Sequence, residues 1–322
     1  MTDPYNQYYL YYDREDSYGS YTIASGSQTW SLGTFSSGYE IPEATFEPVS
    51  FSENDTRDLT YFAGKAKVEG TLTFDLVHGI PIFLGMGACS NNDAGTPKVH
   101  TITGAGATTD LPSFFLQSKM NKSDVSDFAR NVYGCKVDQL DISGKINEPV
   151  KCTMKITASK ITSGTPFANA PTLPTNSATT PFKFKASTAT YNSTEQAVLV
   201  SFRFSVRNSL NQVWTHRSSD SEWIEFLDEA DERSYNVSLG FIASEHAIFD
   251  DVLTQTKRTF VLELVRTADS DDITITCSNC LPTVSKYPIP NVKDKIMVAV
   301  VLNPQTVSIT VNDSIVGADF YV

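Results

Sequence analysis

The sequence is short of basic residues and contains no long apolar run. Lys and Arg number 25 against 37 Asp and Glu, which gives a formal net charge of −12 over 322 residues. Because nucleic-acid surfaces depend on clustered cations, this balance disfavours a protein that grips DNA or RNA. No stretch approaches the roughly 20 consecutive apolar residues of a membrane helix. The first residues lack both a basic start and an apolar segment, so we expect no secretory signal.

Cysteine is also scarce, and its arrangement is not that of a disulfide framework. The chain has 5 cysteines, an odd number, so we expect a reducing compartment. Cys277 and Cys280 have the CxxC spacing of some metal and redox sites, but no second pair and no nearby histidine accompany them. The alternation of Ile273, Ile275 and Cys277 favours instead the inward face of a strand, with Cys280 in the turn after it.

The usual signatures of enzymes and metal sites are missing. The four histidines are His78, His100, His216 and His246. None is paired with another at metal-ligand spacing, and the chain contains no GxSxG, HExxH or P-loop motif. The carboxylates between residues 220 and 232 lack the ordered spacing of a calcium loop and are interpreted as a solvated acidic loop. We therefore predict no catalytic residue, no cofactor and no metal.

What the sequence does contain is alternation of apolar and polar residues with a period of two. The clearest segments are 68–76, 150–159, 198–207 and 235–243. Such alternation predicts antiparallel strands with one buried and one polar face. Further strands are expected at 20–24, 28–35, 45–51, 113–119, 260–266, 273–277 and 307–312. The run 296–302 is apolar on both faces, which predicts a strand either central in a sandwich or covered by a partner subunit.

Helix signals are confined to two short segments. Residues 244–256 begin with a capping Ser244 and carry apolar side chains spaced by four, including Leu253. Residues 78–87 are a weaker candidate, because Pro81 is tolerated only in a first turn. The sequence therefore predicts a mainly β chain with two short helices.

A segment rich in proline, serine and threonine divides the chain nearly in half, and its composition predicts an extended, exposed linker. On each side a strongly alternating strand runs directly into a short helix, with Phe74 corresponding to Phe241. We therefore expect a tandem duplication of one β domain. The predicted organisation is a first domain at 1–165, whose residues 1–19 form an extended arm, a linker at 166–180 and a second domain at 181–322.

Two groups of residues are candidates for a subunit interface. In the N-terminal arm these are Tyr5, Tyr8, Tyr9, Tyr11 and Tyr12. A tyrosine-rich arm could be a platform for sugars, but contact with a neighbouring subunit is the favoured interpretation. In the apolar run near the C-terminus the candidates are Met297, Val298 and Val300.

Several segments follow one another in a distinctive order. They are SYTIASGSQTWSLGTF, IPEATFEPVSF, KVEGTLTFDLVHGIPIFLGMGAC, HTITGAGATTDLPSFFLQSKM and NVYGCKVDQLDISGKINEPVKCTMKITAS, followed by TPFKFKASTATY and VSFRFSVRNSLNQVW. This order resembles the major tail tube proteins of tailed phages and tailed archaeal viruses, in the form with two tube domains in one chain. The resemblance spans most of the chain and is looser over 260–322.

The resemblance implies two tandem β-sandwich-like tail tube domains, each with a short flanking helix, whose inner sheets join into a closed barrel in a ring. Two domains per chain imply homotrimeric rings with pseudo-six-fold symmetry, stacked into a tube that delivers the viral genome into the host cell. The implied location is the virion tail, with assembly in the host cytoplasm. The implied partners are further copies of the chain, the tape measure, terminator and distal tail or baseplate proteins, and viral DNA that passes without specific binding. No enzymatic activity, cofactor or membrane association is implied.

Two other functions stay open. A tube or ring protein of a related contractile injection machine, or a distal tail or baseplate protein, would share the fold. A β-sandwich binding module would instead be a monomer with one concave face.

The acidic composition leads to a prediction about the wall of such a tube. We expect a net negative lining, because free cations would hold DNA phosphates. Lys151, Lys155, Arg203 and Arg207 lie on polar strand faces, so we expect nearby carboxylates or subunit contacts to neutralise them.

Overall fold

The structure is a computed structural model of the whole chain. It describes residues 7–15, 17–22, 30–33, 42–47, 49–51, 60–62, 64–106, 110–121, 128–167, 171–174, 177–196, 199–214, 223–229, 233–242, 247–266, 271–286, 297–317 and 321. Within these residues the chain is mainly β, with two short helices. The predicted fold class is therefore confirmed at the level of secondary structure.

The N-terminal half contains β1 (Gln7–Arg14), β2 (Glu43–Phe46), β3 (Val49–Phe51), β4 (Thr60–Phe62), β5 (Ala66–Asp75), α1 (Ile80–Met86), β6 (Gly87–Asn92), β7 (Lys98–Gly104), β8 (Phe114–Asn121), β9 (Phe128–Lys145), β10 (Lys151–Ala158) and β11 (Lys160–Gly164). The C-terminal half contains β12 (Lys183–Tyr191), β13 (Thr194–Glu195), β14 (Leu199–Arg207), β15 (Leu210–Val213), β16 (Phe226–Glu229), β17 (Ser234–Ile242), α2 (Ala247–Thr254), β18 (Arg258–Val265), β19 (Asp272–Lys286), β20 (Met297–Asn303) and β21 (Thr306–Asp313).

The strands with the clearest alternation form where the sequence predicts them. In β5, for example, Val68, Leu72 and Phe74 are buried while the intervening side chains are more accessible. One face of each strand joins a single hydrophobic cluster that draws on both halves of the chain. Burial of the apolar face is therefore what selects the extended conformation in these segments.

Eight strands form one continuous antiparallel sheet, which we call the eight-stranded sheet. Its order is β2-β5-β10-β9-β14-β17-β20-β19. The first four strands precede the proline-rich segment and the last four follow it. Among the recorded pairings of the described residues, β2 and the C-terminal part of β19 are its two edges, so the sheet is open and not a barrel.

Two outer sheets are connected to the eight-stranded sheet through its longest strands. The N-terminal part of β9 lies in the sheet β1-β8-β9-β11, and the N-terminal part of β19 lies in the sheet β12-β18-β19-β21. A hairpin of β6 and β7 extends the second of these sheets by pairing with β21. The N-terminal half thus contributes two strands to a sheet of the C-terminal half.

The two halves have the same strand order. In the eight-stranded sheet β2-β5-β10-β9 corresponds to β14-β17-β20-β19, and in the outer sheets β1-β8-β9-β11 corresponds to β12-β18-β19-β21. In each half the second strand of its set of four, β5 or β17, is the strand that precedes the helix. Equivalent positions can therefore be assigned between the halves, starting from Phe74 in β5 and Phe241 in β17.

Five expectations from the sequence need correction. Cys280 does not lie in a turn, because β19 continues through it, and the positive φ of 51° at Asn279 marks an irregularity where the strand passes between sheets. The proline-rich segment is not fully exposed, since Phe167 is buried. Leu253, predicted on the apolar stripe of α2, is 82% exposed. Of the strands predicted at 20–24 and 28–35, residues 20–22 and 30–33 are described, and they form isolated bridges at Ser20 and Trp30 rather than strands. The predicted cap Ser244 lies outside the described residues.

Candidate subunit interface

The two halves of the chain meet at a junction that we define by the β9–β14 pairing together with Asn208 and Arg233. The pairing runs from Lys145 opposite Ser201 to Gln139 opposite Arg207. Asn208 follows β14 directly and is completely buried. We call this contact the internal junction.

Asn208 connects α1 to the C-terminal half. Its Nδ2 donates to the carbonyl oxygens of Gly85, in α1, and Val137, in β9, at 2.9 and 2.8 Å. Arg233 donates from Nε to Asn208 Oδ1 at 2.6 Å and from Nη1 to the carbonyl oxygen of Ala105 at 3.0 Å. The carbonyls at a helix C-terminus lack partners within the helix, so Asn208 supplies one for α1.

The β6–β7 hairpin reaches from the N-terminal half to the C-terminal half. His100 on β7 is fully buried, and its Nε2 lies 3.2 Å from Asp313 Oδ1. The ring of Tyr321 stacks on His100 with centroids 4.3 Å apart, and its hydroxyl donates to Asp313 Oδ2 at 3.1 Å. Burial beside this carboxylate raises the pKa of Tyr321. These contacts hold the end of the chain on the hairpin.

The β15–β16 hairpin reaches in the opposite direction, from the C-terminal half onto the N-terminal half. Trp214 donates from Nε1 to the carbonyl oxygen of Ala66 at 3.4 Å, and Lys65 Nζ lies 4.6 Å from the Trp214 ring centroid. Lys136 and Ser159 donate to carbonyl oxygens of this hairpin region at 3.1 and 2.6 Å. Each half therefore extends a hairpin over the other.

The open edge at β2 carries apolar surface. Phe46 is 48% exposed and meets the ring of Trp223 edge-on at 5.6 Å, while Phe128 is 44% exposed. A groove of about 410 Å³ lies beside this edge, lined in part by Ala44, Phe128 and Ile161. Exposed aromatic side chains next to an open strand edge are typical of surfaces that bind another protein.

The tyrosines proposed from the sequence lie in a strand rather than a free arm. Tyr5 is outside the described residues, and Tyr8 belongs to β1, which pairs with β8 along its whole length. Tyr9 is half-buried. Tyr11 and Tyr12 are buried in the chain's own core, where their rings lie 5.1 and 5.7 Å from those of Phe167 and Phe114. Contact of this region with another subunit stays a prediction.

The C-terminal candidates lie in β20, between β17 and β19. Met297 begins the strand, and the side chains of Val298 and Val300 are buried within the chain. The apolar run was predicted to be either a central strand or a strand covered by a partner subunit. In the structure β20 is a central strand, since it pairs with β17 on one side and β19 on the other. A role of these residues in a subunit interface stays a prediction, and the chain itself already covers Val298 and Val300.

The polar face of the eight-stranded sheet brings cations and carboxylates together. Three ion pairs form as predicted: Lys151 Nζ lies 3.7 Å from Asp75, Lys155 Nζ lies 3.1 Å from Asp138, and Arg203 Nη2 lies 2.8 Å from Asp141. The hydrogen bonds from Arg203 to Asp141 raise the pKa of the guanidinium. Arg207 lies on the same face of β14. On β2, β5, β10, β9 and β14 this face carries six cations (Lys67, Lys145, Lys151, Lys155, Arg203, Arg207) and five carboxylates (Glu43, Glu69, Asp75, Asp138, Asp141), which is close to neutral.

The buried titratable groups are structural in character. Burial lowers the pKa of His78 to about 4, so its imidazole is neutral, and Nε2 lies 3.2 Å from the carbonyl oxygen of Ser31. Burial raises the pKa of Cys135 and Cys152. Cys280 Sγ donates to the carbonyl oxygen of Cys277 at 3.3 Å. Within the described part of the chain, no group of three or more His, Cys, Asp or Glu side chains is placed to hold a metal ion.

Phe46, Asn208 and Arg233 were not predicted as interface residues from the sequence. No local pattern distinguishes them, because each is significant only through a partner far away in the chain. Leu253 was identified, but as part of a buried stripe.

None of the helices in the described residues combines the length and apolarity needed to cross a membrane.

Comparison with known proteins assigns the class. A family model for phage tail tube proteins matches residues 6–312, which is nearly the whole chain. The chain therefore belongs to the phage tail tube protein family. It is a structural protein of the virion tail, of a kind that assembles with itself and with other tail proteins. A search of curated proteins yields no match.

Proposed function

We propose that the chain closes into homotrimeric rings through the edges of the eight-stranded sheet. These rings stack into the tail tube, the conduit for viral genome delivery. The observation that carries this proposal is the internal junction. It joins two four-stranded sets of the same order and leaves free β2 and β19, the counterparts of the two strands that it joins.

The position of β2 in the proposed contact follows from its correspondence with β14. Phe74 corresponds to Phe241, so Val68 corresponds to Tyr235. Val68 pairs with Ala44, and Tyr235 pairs with Val206. Ala44 is therefore the counterpart of Val206.

The position of β19 in the proposed contact follows from its correspondence with β9. Met154 pairs with Leu140, and its counterpart Val300 pairs with Val284. Since Leu140 pairs with Val206 inside the chain, Val284 should pair with Ala44 of the next chain. By the same reasoning Thr283 should lie opposite Thr45.

Repetition of one contact favours a closed ring. A head-to-tail contact whose rotation closes gives a ring. Two equivalent sets per chain in three chains give pseudo-six-fold symmetry, and eight strands per chain then give a barrel of twenty-four. Closure also removes the exposed edges at β2 and β19. We assign the two sets to two tail tube domains, 1–165 and 181–322, joined by a linker at 166–180.

The polar face of the eight-stranded sheet is proposed to line the lumen. Its hydroxyl groups and paired charges suit a wall along which DNA moves, since phosphate is retained by unpaired Lys and Arg. The balance on the five strands from β2 to β14 is close to neutral, and a net negative lining of the whole lumen stays a prediction. The proposed partners are further copies, the tape measure, terminator and distal tail or baseplate proteins, and viral DNA in transit, with assembly in the host cytoplasm.

Electron microscopy of the purified protein at high concentration tests the assembly. Rings or tubes with an open lumen are expected, and a monomer at every concentration would overturn the proposal. The register is tested with the double variant Ala44→Cys/Val284→Cys under oxidation. Crosslinked species should extend to three chains and stop, whereas a longer ladder contradicts closure at three. A variant shifted in register, Ala44→Cys/Leu281→Cys, is the matched control.

A further inference from the structure

The two helices have corresponding places in the strand order, yet only one is covered. All seven residues of α1 are buried. In α2, Leu253 near the C-terminal end is 82% exposed, the most exposed large apolar side chain among the described residues. A leucine side chain left in water forgoes the favourable free energy of its burial. Because α1 is covered and Leu253 is not, the C-terminal end of α2 is a candidate for contact with another surface.

The cover of α1 comes from the internal junction. Gly85 lies so close to β9 that a Cβ atom at this position would be 2.8 Å from Leu140 Cδ2. The carbonyl of the same residue accepts from Asn208, just after β14. The C-terminal end of α1 is thus enclosed between a strand of its own half and the first strand of the next set.

The correspondence between the halves identifies what should enclose α2. Ile80 and Ile248 both lie in the first turn of their helices, so Gly85 corresponds to Leu253. Ala44 corresponds to Val206, so Phe46 corresponds to Asn208. Phe46 is itself 48% exposed and lies at the open edge of the eight-stranded sheet.

We propose that Leu253 packs against Phe46 of a second copy of this chain. The proposal rests on ring closure through β2 and β19. It adds to the pairing of these edges an apolar contact between α2 of one chain and Phe46 of the next. Inside the chain, a polar side chain at position 208 meets a glycine at position 85. At the proposed contact between chains, Phe46 corresponds to Asn208 and Leu253 corresponds to Gly85. Both Phe46 and Leu253 are apolar, and both are exposed in a single chain.

A second difference between the halves supports this contact. The internal junction is reinforced by the β6–β7 hairpin, which follows α1 and pairs with β21. The C-terminal half has no counterpart of this hairpin, because α2 ends at Thr254 and β18 begins at Arg258. A contact between chains therefore lacks the hairpin. The buried apolar pair supplies affinity in its place.

Substitution at position 253 tests the contact. Leu253→Asp should raise the protein concentration needed for half-maximal ring formation by at least about tenfold, the factor that corresponds to loss of one buried leucine. Phe46→Asp should have an effect of the same direction. Leu253→Met, which keeps the side chain apolar, is the matched control and should assemble like the wild type.

A charge-complementing variant separates this contact from a folding defect. Phe46→Asp/Leu253→Lys places opposite charges at the two positions of every chain and should recover part of the assembly lost in Phe46→Asp. If wild-type protein forms rings and Leu253→Asp forms them equally well, the contact is wrong while ring closure stands. If wild-type protein forms no rings at all, ring closure itself fails. Thermal unfolding of Leu253→Asp and Leu253→Met at low concentration should match that of the wild type, because Leu253 is 82% exposed in one chain.

Discussion

The two helices have corresponding places in the strand order but different surroundings. α1 is enclosed within the chain by Asn208 and Arg233, and its backbone approaches β9 closely because residue 85 is glycine. α2 ends instead with a leucine exposed to solvent and with its own cap, since the side chain of Gln255 donates to the carbonyl of Val252 at 2.9 Å. The comparison indicates that the internal junction is completed within one chain, whereas α2 keeps an exposed apolar side chain that we propose a second copy covers.

The largest expected effect comes from breaking the internal junction. Asn208→Leu would leave the buried carbonyls of Gly85 and Val137 without their donor and would remove the acceptor of Arg233. Each buried polar group left unpaired costs about 1–3 kcal/mol, so we expect the free energy of unfolding to fall by about 3–5 kcal/mol. Urea denaturation at low protein concentration measures this. Phe46→Leu, at the corresponding open position, should leave the same quantity nearly unchanged.

Acid should destabilise the chain through His78, which lies just before α1. Its pKa in the folded chain is about 4, below the usual 6.5. Stability from the neutral imidazole is therefore complete above pH 6.5 and is lost as the pH falls towards 4. The difference corresponds to about 3 kcal/mol. His78→Gln retains a donor towards Ser31 but does not titrate, so its unfolding free energy should decline less over this range. An equal decline in both proteins would contradict the assignment.

A smaller effect is expected from filling the space at residue 85. Gly85→Ala places a methyl group against Leu140, and overpacking costs about 1–3 kcal/mol while alanine regains up to about 1 kcal/mol of helix propensity. We expect a net loss of about 1–2 kcal/mol in urea denaturation. Leu253→Ala, at the corresponding position of α2, should cost the monomer almost nothing. Equal losses at both sites would mean that the two helices are enclosed alike.

The smallest effect on stability is expected on the polar face. Asp141→Asn removes the charge that pairs with Arg203, a cation whose side chain is 56% exposed. Because such pairs are screened by solvent, we expect a loss of about 1 kcal/mol or less. Retention of DNA by assembled tubes at low salt should nevertheless increase, because a cation is freed in each chain. Ser238→Ala on the same face is the control. Unchanged retention would argue against a lumen-facing position.

The alternation of apolar and polar residues was sufficient to predict β5, β10, β14, β17 and the two helices, because a period of two or of about four records which side is buried. It did not predict that β19 continues through Cys280. That continuation depends on the backbone at Asn279 and on two different neighbours, β18 before it and β20 after it. A local pattern contains neither.

The sequence by itself determined the class of fold and the position of its main strands, since each follows from residues near one another in the chain. The tertiary structure alone decided which edges are open and which residues lie at them. It placed Tyr11 and Tyr12 in the core, Asn208 beneath α1, and Phe46 and Leu253 in solvent. The physical reason is that strand pairing and helix cover join segments far apart in the chain, and their free energy depends on the packed arrangement rather than on any local preference.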